Sequence, residues 1–417
     1  RQLQLKASPA ATDGTYLRRV HLDLLGVLPS PEAARAYLDS KDPKKHLALV
    51  DGLLKRSEFA EFWAMKWLDV MRGNRESITE RGVHKLHRHL VRHFAEDRSF
   101  GELARQILTS RGNTIENPTA SFFRIARTPE DAAESTAQLF LGVRIQCAKC
   151  HNHPFEAITQ NDYYGLAAYF ARVKLKGRVF GLDREIVYVG RAGEVKHAES
   201  GEVMKPTAFG KVARDVAVGQ DVRPQLADWL VRSENRWFAR STVNRIWAHI
   251  FGLGIVEPVD DFRESNPPSN PELLNGLAQH FIASKFDIKG LVRLICRSNT
   301  YQLSSLPNDY NLKDKQNFSR YYPKRLTAEV LYDAFHQVTA STQAYGGLPT
   351  GTRAVQLPDP SKGPYFLKVF GQPQADTACE CERSQEANLA QSLHLLNSSE
   401  VQNKIAAGSG RAAKLAA

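Results

Sequence analysis

Helix-start signals in both halves of the chain are the feature that most constrains its fold. Ser30 and Thr128 each precede a proline, which is the usual order of an N-cap residue and the first helical residue. Thr159 can cap a third helix, and the aromatic residues of "SEFAEFWAMKWLDVMR" (residues 57–72) recur at helical spacing, which is typical of a core-facing helix. Alternating patterns typical of strands are confined to residues 173–218. The sequence therefore predicts a mainly α protein with a small antiparallel β insertion.

The length and the change of pattern predict four segments. A chain of 417 residues is long enough for two or three domains that each bury a core. The predicted segments are an N-terminal helical domain (1–173), the small β insertion (174–218), a C-terminal helical domain (219–407) and a tail (408–417). The tail reads "GSGRAAKLAA", and we expect it to derive from an expression vector.

The formal net charge of +11 suggests an anionic partner. We expect no nucleic acid partner, because the basic residues are interspersed with acidic ones and no nucleic-acid-binding motif occurs. A polyanionic carbohydrate or an acidic protein partner explains the charge equally well, and so does a generally basic, solvated surface. No run of about 18 apolar residues occurs, so we expect no membrane span.

The stretch "CAKCH" carries the most specific chemistry. Cys147, Cys150 and His151 form the minimal signature for covalent haem c attachment, in which two thiols add to the haem vinyl groups and the histidine ligates the iron. The helix that starts at Thr128 is expected to run directly into Cys147. Cytochromes c attach haem at such a helix end, so this position favours the haem interpretation.

Two other interpretations of this motif remain open. Its cysteines, with His151 or His153 and one distant cysteine, can supply four ligands to zinc or iron. Alternatively, the cysteines form a buried reduced pair or a local disulfide.

A second cysteine pair, in "CECER", can contribute to the same site. Cys379 and Cys381 are two residues apart, so a disulfide between them would be strained, whereas two thiolates can share a metal ion. The pair can also lie near the distal side of a haem, bridge to Cys296, or simply be packed.

The run "HKLHRHLVRH" places four histidines on one predicted helix. Either pair on a shared helix face can supply a distal haem ligand or a metal ligand. A basic, solvated face is the commoner role for such a stretch. The four residues are His84, His87, His89 and His93.

The third polar stretch, "NRIWAHIFGLGIVEPVDDFRE", predicts a substrate site. A helix ends at Gly252 and a loop with two adjacent aspartates follows, so polar side chains are concentrated beside a rigid element. Paired aspartates can share a proton or bind a cation, although an Asp–Arg network that joins helices is an equally simple explanation. The candidate substrate-binding residues are Asn244, Arg245, His249 and Arg263, and the candidate catalytic residues are Asp260 and Asp261.

These motifs together resemble a known family. The stretch "ESTAQLFLGVRIQCAKCHNHPFEAITQNDYYGLAAYFARV" is similar to the cytochrome-C-like domain family of Planctomycetes and Verrucomicrobia. The stretches "NRIWAHIFGLGIVEPVDDFRESNPPSNPELL" and "FGQPQADTACECERSQEANLAQSLHLLN" resemble its C-terminal partner domain. The resemblance covers nearly the whole chain from about residue 11 to residue 403.

The resemblance implies an exported protein whose relatives are frequently encoded near sulfatases and glycan-degrading enzymes. It implies haem c at the Cys-x-x-Cys-His motif, and it matches a further histidine and an acidic residue of the family to His153 and Glu156. The family's C-terminal cysteine corresponds to Cys381. Periplasmic or cell-surface localisation follows from covalent haem attachment.

The resulting hypothesis is a c-type-haem oxidoreductase or electron-transfer protein that acts in the breakdown of sulfated glycans together with a redox partner protein. Arg245 and Arg263 are expected to bind sulfate or carboxylate groups. Asp260 or Asp261 is expected to act as general base during oxidation of a sugar hydroxyl. The alternatives are a metal-dependent hydrolase and a structural or binding module, both without haem.

Overall fold

The computed structural model is mainly helical, with 52% helix and 4% strand, which confirms the predicted fold class. It describes residues 4–152, 157–177, 184–211, 215–378 and 387–416.

Nineteen α-helices are formed by the described residues. Those of the N-terminal half are α1 (Asp13–Leu25), α2 (Pro31–Asp39), α3 (Lys45–Leu54), α4 (Ser57–Val70), α5 (Arg75–Ala95), α6 (Phe100–Leu108), α7 (Ser121–Ile125), α8 (Pro129–Thr136) and α9 (Gln160–Ala168). Those of the C-terminal half are α10 (Arg223–Leu230), α11 (Phe238–Phe251), α12 (Pro271–Ala283), α13 (Ile288–Cys296), α14 (Asn299–Gln302), α15 (Ala328–Thr339), α16 (Tyr365–Val369), α17 (Leu389–Asn397), α18 (Ser399–Ile405) and α19 (Arg411–Ala416). Among these helices none combines the length and the apolar character needed to cross a bilayer.

The predicted helix starts are confirmed. Ser30, Thr128 and Thr159 each accept a hydrogen bond from the backbone N–H three residues later, which satisfies one of the free donors of the first turn. At α9 the side chain of Asp162 also accepts from the Thr159 N–H, so a complete capping box fixes the start of this helix.

The helix that starts at Thr128 does not run into Cys147, and this expectation is wrong. After α8 the chain forms one π-helical turn, Ala137–Leu141, and stops at Gly142, which has a left-handed backbone with φ of 66°. A Cβ atom at residue 142 would lie 2.7 Å from Oγ of Ser241 on α11. Glycine is needed there for both its backbone conformation and this close approach.

The sheet is small and antiparallel. Its strands are β1 (Gly112–Asn113), β2 (Val173–Lys176) and β3 (Ile186–Val189), in the order β1-β3-β2. Strands β2 and β3 lie in or at the edge of the predicted insertion, whereas β1 comes from the segment after α6. The sheet therefore ties the insertion to the N-terminal helices.

One large hydrophobic core includes residues from both halves of the chain. The α4 aromatic residues predicted to be core are buried, and so are Met65 and Met71. Phe100 stacks on Phe238 with ring centroids 5.7 Å apart, which joins α6 to α11. A smaller core around Tyr332 packs α15 against the C-terminal helices. The continuity of the large core fixes the position of α4 relative to α11, and the cleft described next lies between them.

Candidate functional site

A cleft of about 340 Å³ lies between the two halves of the chain. Helix α4 contributes an aromatic wall with Trp63 and Trp67, and α11 contributes Arg245 and His249, which are four residues apart and share a helix face. Asp260, from the loop after α11, completes this side. The structure therefore brings three of the six predicted substrate-site and catalytic residues to one cavity.

The aromatic wall offers both apolar surface and a hydrogen-bond donor. Trp63 is 2% exposed, and its Nε1–H has no hydrogen-bond partner within the described part of the chain. Such a buried donor carries a desolvation cost that a bound acceptor would offset. The guanidinium carbon of Arg245 lies 5.7 Å from the ring centroid of Trp67. The cleft thus presents a cation beside an aromatic surface.

Asn244 does not line the cleft. Its side chain is fully buried and accepts hydrogen bonds from the N–H groups of Ile255 and Val256, at 2.7 and 2.9 Å. Its amide nitrogen donates to the carbonyl oxygens of Val256 and Val259. The structure therefore places Asn244 as the residue that attaches the loop after α11 to the helix.

The two adjacent aspartates each pair with a different arginine. Asp260 accepts hydrogen bonds from Arg144 and Gln138, both at 2.6 Å, and Asp261 accepts one from Arg263 at 2.6 Å. The hydrogen bond to Asp260 raises the pKa of Arg144. Asp261 and Arg263 are not among the residues that line the cleft. This arrangement corresponds to the Asp–Arg network considered above as the alternative to a proton-sharing pair.

A second charged cluster at the cleft was missed by sequence reasoning. The carboxylate of Asp23, on α1, is buried and lies 2.8 Å from Nζ of Lys324. Tyr301 donates a hydrogen bond to it at 2.7 Å and Tyr321 at 3.3 Å. Burial, reinforced by the Asp23 charge, raises the pKa of both tyrosines well above the ordinary value.

Asp23 also fixes the orientation of His249. The imidazole Nε2 of His249 lies 2.9 Å from the backbone oxygen of Asp23, and its ring packs edge-on against Phe62 and Trp63. A single acidic residue within the apolar stretch "VHLDLLG" is the sequence signal that would have pointed to Asp23.

The Cys-x-x-Cys-His motif begins on a short 3₁₀ turn, Gln146–Lys149, and ends at His151, nine residues before the first residue of α9. The side chains of Cys147, Cys150 and His151 are all exposed, and both thiols are free. The Tyr164 hydroxyl donates to the Lys149 carbonyl at 2.8 Å, which attaches the turn to α9. The motif is therefore exposed to solvent, and its turn is attached to a buried helix by this hydrogen bond.

This donor set fits the attachment chemistry of haem c. The two thiols are accessible on one turn, and Nδ1 of His151 lies 2.7 Å from the carbonyl oxygen of Asn152, which leaves Nε2 for an iron. Neither the cleft nor the second cavity described below includes a residue of the turn.

The predicted metal ligands His153, Cys379 and Cys381 lie outside the described residues, as does Glu156. Within the described ranges no group of three or more His, Cys, Asp or Glu side chains is arranged to hold a metal ion. Cys296 is completely buried in the large core, and burial raises the pKa of its thiol well above the ordinary value.

The four histidines of the predicted basic helix lie on α5, as expected. His93 is buried, and desolvation lowers its pKa to about 4. Desolvation lowers the pKa of His87 to about 4 as well, so both imidazoles are neutral at pH 7.

The fold and the site define a helical protein with a cleft between the two halves of the chain and a separate cysteine–histidine turn. Residues 1–175 match the family model PSCyt2, a protein of unknown function (DUF1549), and residues 222–416 match PSD1, a protein of unknown function (DUF1553). The two matches stand in the order that the resemblance predicted, and the second match extends into the tail. No curated protein and no solved structure matches the chain.

Proposed function

We propose that this protein is an exported oxidoreductase or electron-transfer protein with a c-type haem, which acts on sulfated, polyanionic glycans. Export to the periplasm or cell surface, a separate redox partner protein and the kinship with planctomycete and verrucomicrobial cytochrome-C-like proteins are parts of the same proposal. They follow from the covalent attachment chemistry and from the resemblance of the motifs.

The short sequence distance between the cysteine–histidine turn and an arginine that binds a residue of the cleft is the observation that supports the proposal. Arg144 lies three residues before Cys147, so their Cα atoms are at most about 11 Å apart. The guanidinium of Arg144 binds the carboxylate of Asp260, which lines the cleft, at 2.6 Å. This ion pair therefore links the segment just before the turn to the cleft in which a substrate would bind.

The chain supplies the attachment groups for the cofactor. Cys147 and Cys150 would hold the haem covalently and His151 would ligate its iron. When bound, the haem supplies one-electron exchange, with a potential set by its ligands and surroundings.

The cleft supplies the groups expected at a site for an anionic sugar. Arg245 offers a planar guanidinium for a sulfate or carboxylate group, and Trp67 offers an apolar face for the ring. Oxidation of a sugar hydroxyl to a carbonyl releases two electrons and two protons, so the electrons would have to leave in two one-electron transfers that end on the redox partner protein, with one proton passing to the chain and the other to solvent. Asp260 is the proposed acceptor for the hydroxyl proton, because each carboxylate oxygen keeps lone-pair capacity beyond its bonds to Gln138 and Arg144.

A metal site without haem is the second candidate. The exposed position of the turn favours it, because a zinc or iron ion held by thiolates and imidazole needs no large apolar enclosure. Cys147, Cys150 and His151 would then act with His153 and with Cys379 or Cys381. This protein would be a glycan-acting hydrolase or a structural or binding module.

The two candidates are separated by analysis of protein produced in a bacterial periplasm with a c-type haem maturation system. We expect about one haem per chain, retained after denaturation and detected by mass and by the pyridine haemochrome spectrum. The double variant Cys147→Ala/Cys150→Ala should lose it, whereas Lys149→Ala, an exposed change on the same turn, should not. About one zinc or iron per chain without haem would contradict the haem proposal, and so would the absence of both.

A further inference from the structure

A second cavity, of about 560 Å³, is strongly basic. One wall is α5, where four cationic residues are spaced at intervals of four, three and four residues and therefore lie along one helix face. They are Arg81, Lys85, Arg88 and Arg92. Eleven residues of helix span about 16 Å, so the row is elongated. The rest of the lining consists of His89, also on α5, and of Asn113, Ile115, Glu116, Pro118 and Arg184.

These cations lack the acidic partners that several other arginines of the surface have. Arg75, on the same helix, binds Asp359 and Glu80, and Arg98 binds Glu96. Among the described residues, by contrast, no acidic side chain lies in ion-pair distance of any member of the row or of Arg184. Glu116 is the acidic residue in the lining, and it accepts a hydrogen bond from Asn113 at 3.3 Å.

We propose that this groove binds a linear polyanion with sulfate or carboxylate groups on a sugar backbone. Positive side chains that lack acidic partners and line a concave surface produce a strong positive electrostatic potential, which attracts an anionic ligand. Guanidinium groups bind sulfate and carboxylate oxygens through two parallel hydrogen bonds, and three of the four members of the row are arginines. The groove is distinct from the cleft, and the proposal does not depend on haem at the cysteine–histidine turn.

The lining favours a glycan over the other polyanions. Proteins that bind single-stranded nucleic acid stack bases mainly on large aromatic side chains, and the lining of the groove includes one imidazole, of His89, but no Phe, Tyr or Trp. Peripheral membrane surfaces combine basic residues with large apolar side chains that enter the bilayer. Ile115 and Pro118 are the apolar residues of the lining, and both are at least partly buried in the fold.

The proposal is tested by binding of a sulfated heparin octasaccharide to the whole chain, measured by calorimetry at fixed ionic strength. The double variant Arg88→Ala/Arg92→Ala should bind roughly tenfold to a hundredfold more weakly. Both positions are exposed and alanine favours helix, so the variant should keep the circular dichroism spectrum of the parent protein. Binding should weaken as salt is added.

A matched control variant distinguishes the loss of two charges in the groove from the loss of two charges elsewhere on the surface. Arg18→Ala/Arg35→Ala removes two exposed arginines from α1 and α2 and should bind the octasaccharide like the parent protein. Equal losses in the two double variants would overturn the proposal, and so would unchanged binding in the groove variant. Equally tight binding of an octasaccharide that is both desulfated and carboxyl-reduced, of a single-stranded oligonucleotide or of phosphatidylserine vesicles, with the same dependence on Arg88 and Arg92, would also overturn it.

Discussion

Asp333, on α15, is a buried carboxylate with an unusual titration. It accepts hydrogen bonds from the N–H groups of Ala354 and Val355, at 2.6 and 3.1 Å, and so holds the following 3₁₀ turn. These bonds favour the charged form, but desolvation is the larger effect and raises the pKa of Asp333 to about 6. The protonated carboxyl is therefore favoured in the folded state relative to the unfolded chain.

We expect Asp333 to make the protein less stable as the pH rises from about 4 to about 6. A carboxyl with a raised folded-state pKa contributes stability below its unfolded pKa, and this contribution is lost as the pH rises through the folded value. The free energy of unfolding of the parent protein minus that of Asp333→Asn should therefore decrease by on the order of 2 kcal/mol as the pH rises over this range. Urea unfolding at pH 4 and at pH 6.5 measures it.

A difference that is constant with pH would contradict this assignment. The comparison with Asp333→Asn is needed because other carboxyl groups titrate in the opposite sense. A hydrogen bond from Arg56 lowers the pKa of Glu58 to about 2, for example, so Glu58 contributes stability above its unfolded pKa that is lost as the pH falls toward 2.

The junction between the π-helical turn and the cysteine–histidine turn depends on Gly142. Alanine at this position meets two costs, a left-handed backbone and a contact with Ser241. Gly201 has a similar φ of 71°, but nothing lies within 4 Å of its ideal Cβ position. A comparison of alanine substitutions at Gly142 and at Gly201 therefore distinguishes the cost of backbone strain from the cost of steric overlap.

We expect Gly201→Ala to destabilise the fold by about 1 kcal/mol, the cost of a left-handed backbone. Gly142→Ala should cost about 1–3 kcal/mol more, because the added methyl displaces Ser241 and Phe262. Chemical denaturation of the two variants under identical conditions measures both values. Equal losses would show that α11 moves away from residue 142 without cost.

The elements of this region show what local sequence can predict. The caps at Thr128 and Thr159 depend on neighbours within four residues, so their patterns were readable. The stop at Gly142 has a local signal, a glycine that can adopt the left-handed backbone, but the close approach to Ser241, about a hundred residues away in the chain, has none. The same reason explains why Arg245, His249 and Asp260 were found but Asp23 and Lys324 were not.

At the scale of the whole molecule, the two sequence families share one core. The Tyr301 hydroxyl reaches the Asp23 carboxylate across 278 residues of sequence, and Phe100 stacks on Phe238. Separation of the halves would expose these buried contacts to water.

We therefore expect the protein to unfold in a single transition. Scanning calorimetry should give equal calorimetric and van't Hoff enthalpies, as for a cooperative unit. Two resolved transitions, one for each matched family, would contradict this expectation. Residues 1–175 produced alone should likewise lack the sharp near-ultraviolet dichroism of packed tryptophans.

The cleft has walls from both families, so its occupancy and the docking of the two halves are thermodynamically linked. A compound that contacts both Trp67 and Arg245 in the cleft stabilises the docking of the two halves, because it can bind in this way only while α4 and α11 are held together. At a concentration a hundred times its dissociation constant it would add about 2.7 kcal/mol to the free energy of unfolding. The melting temperature of the protein is thus a direct readout for ligand discovery, and sulfated oligosaccharides can be ranked by affinity without an assay for turnover.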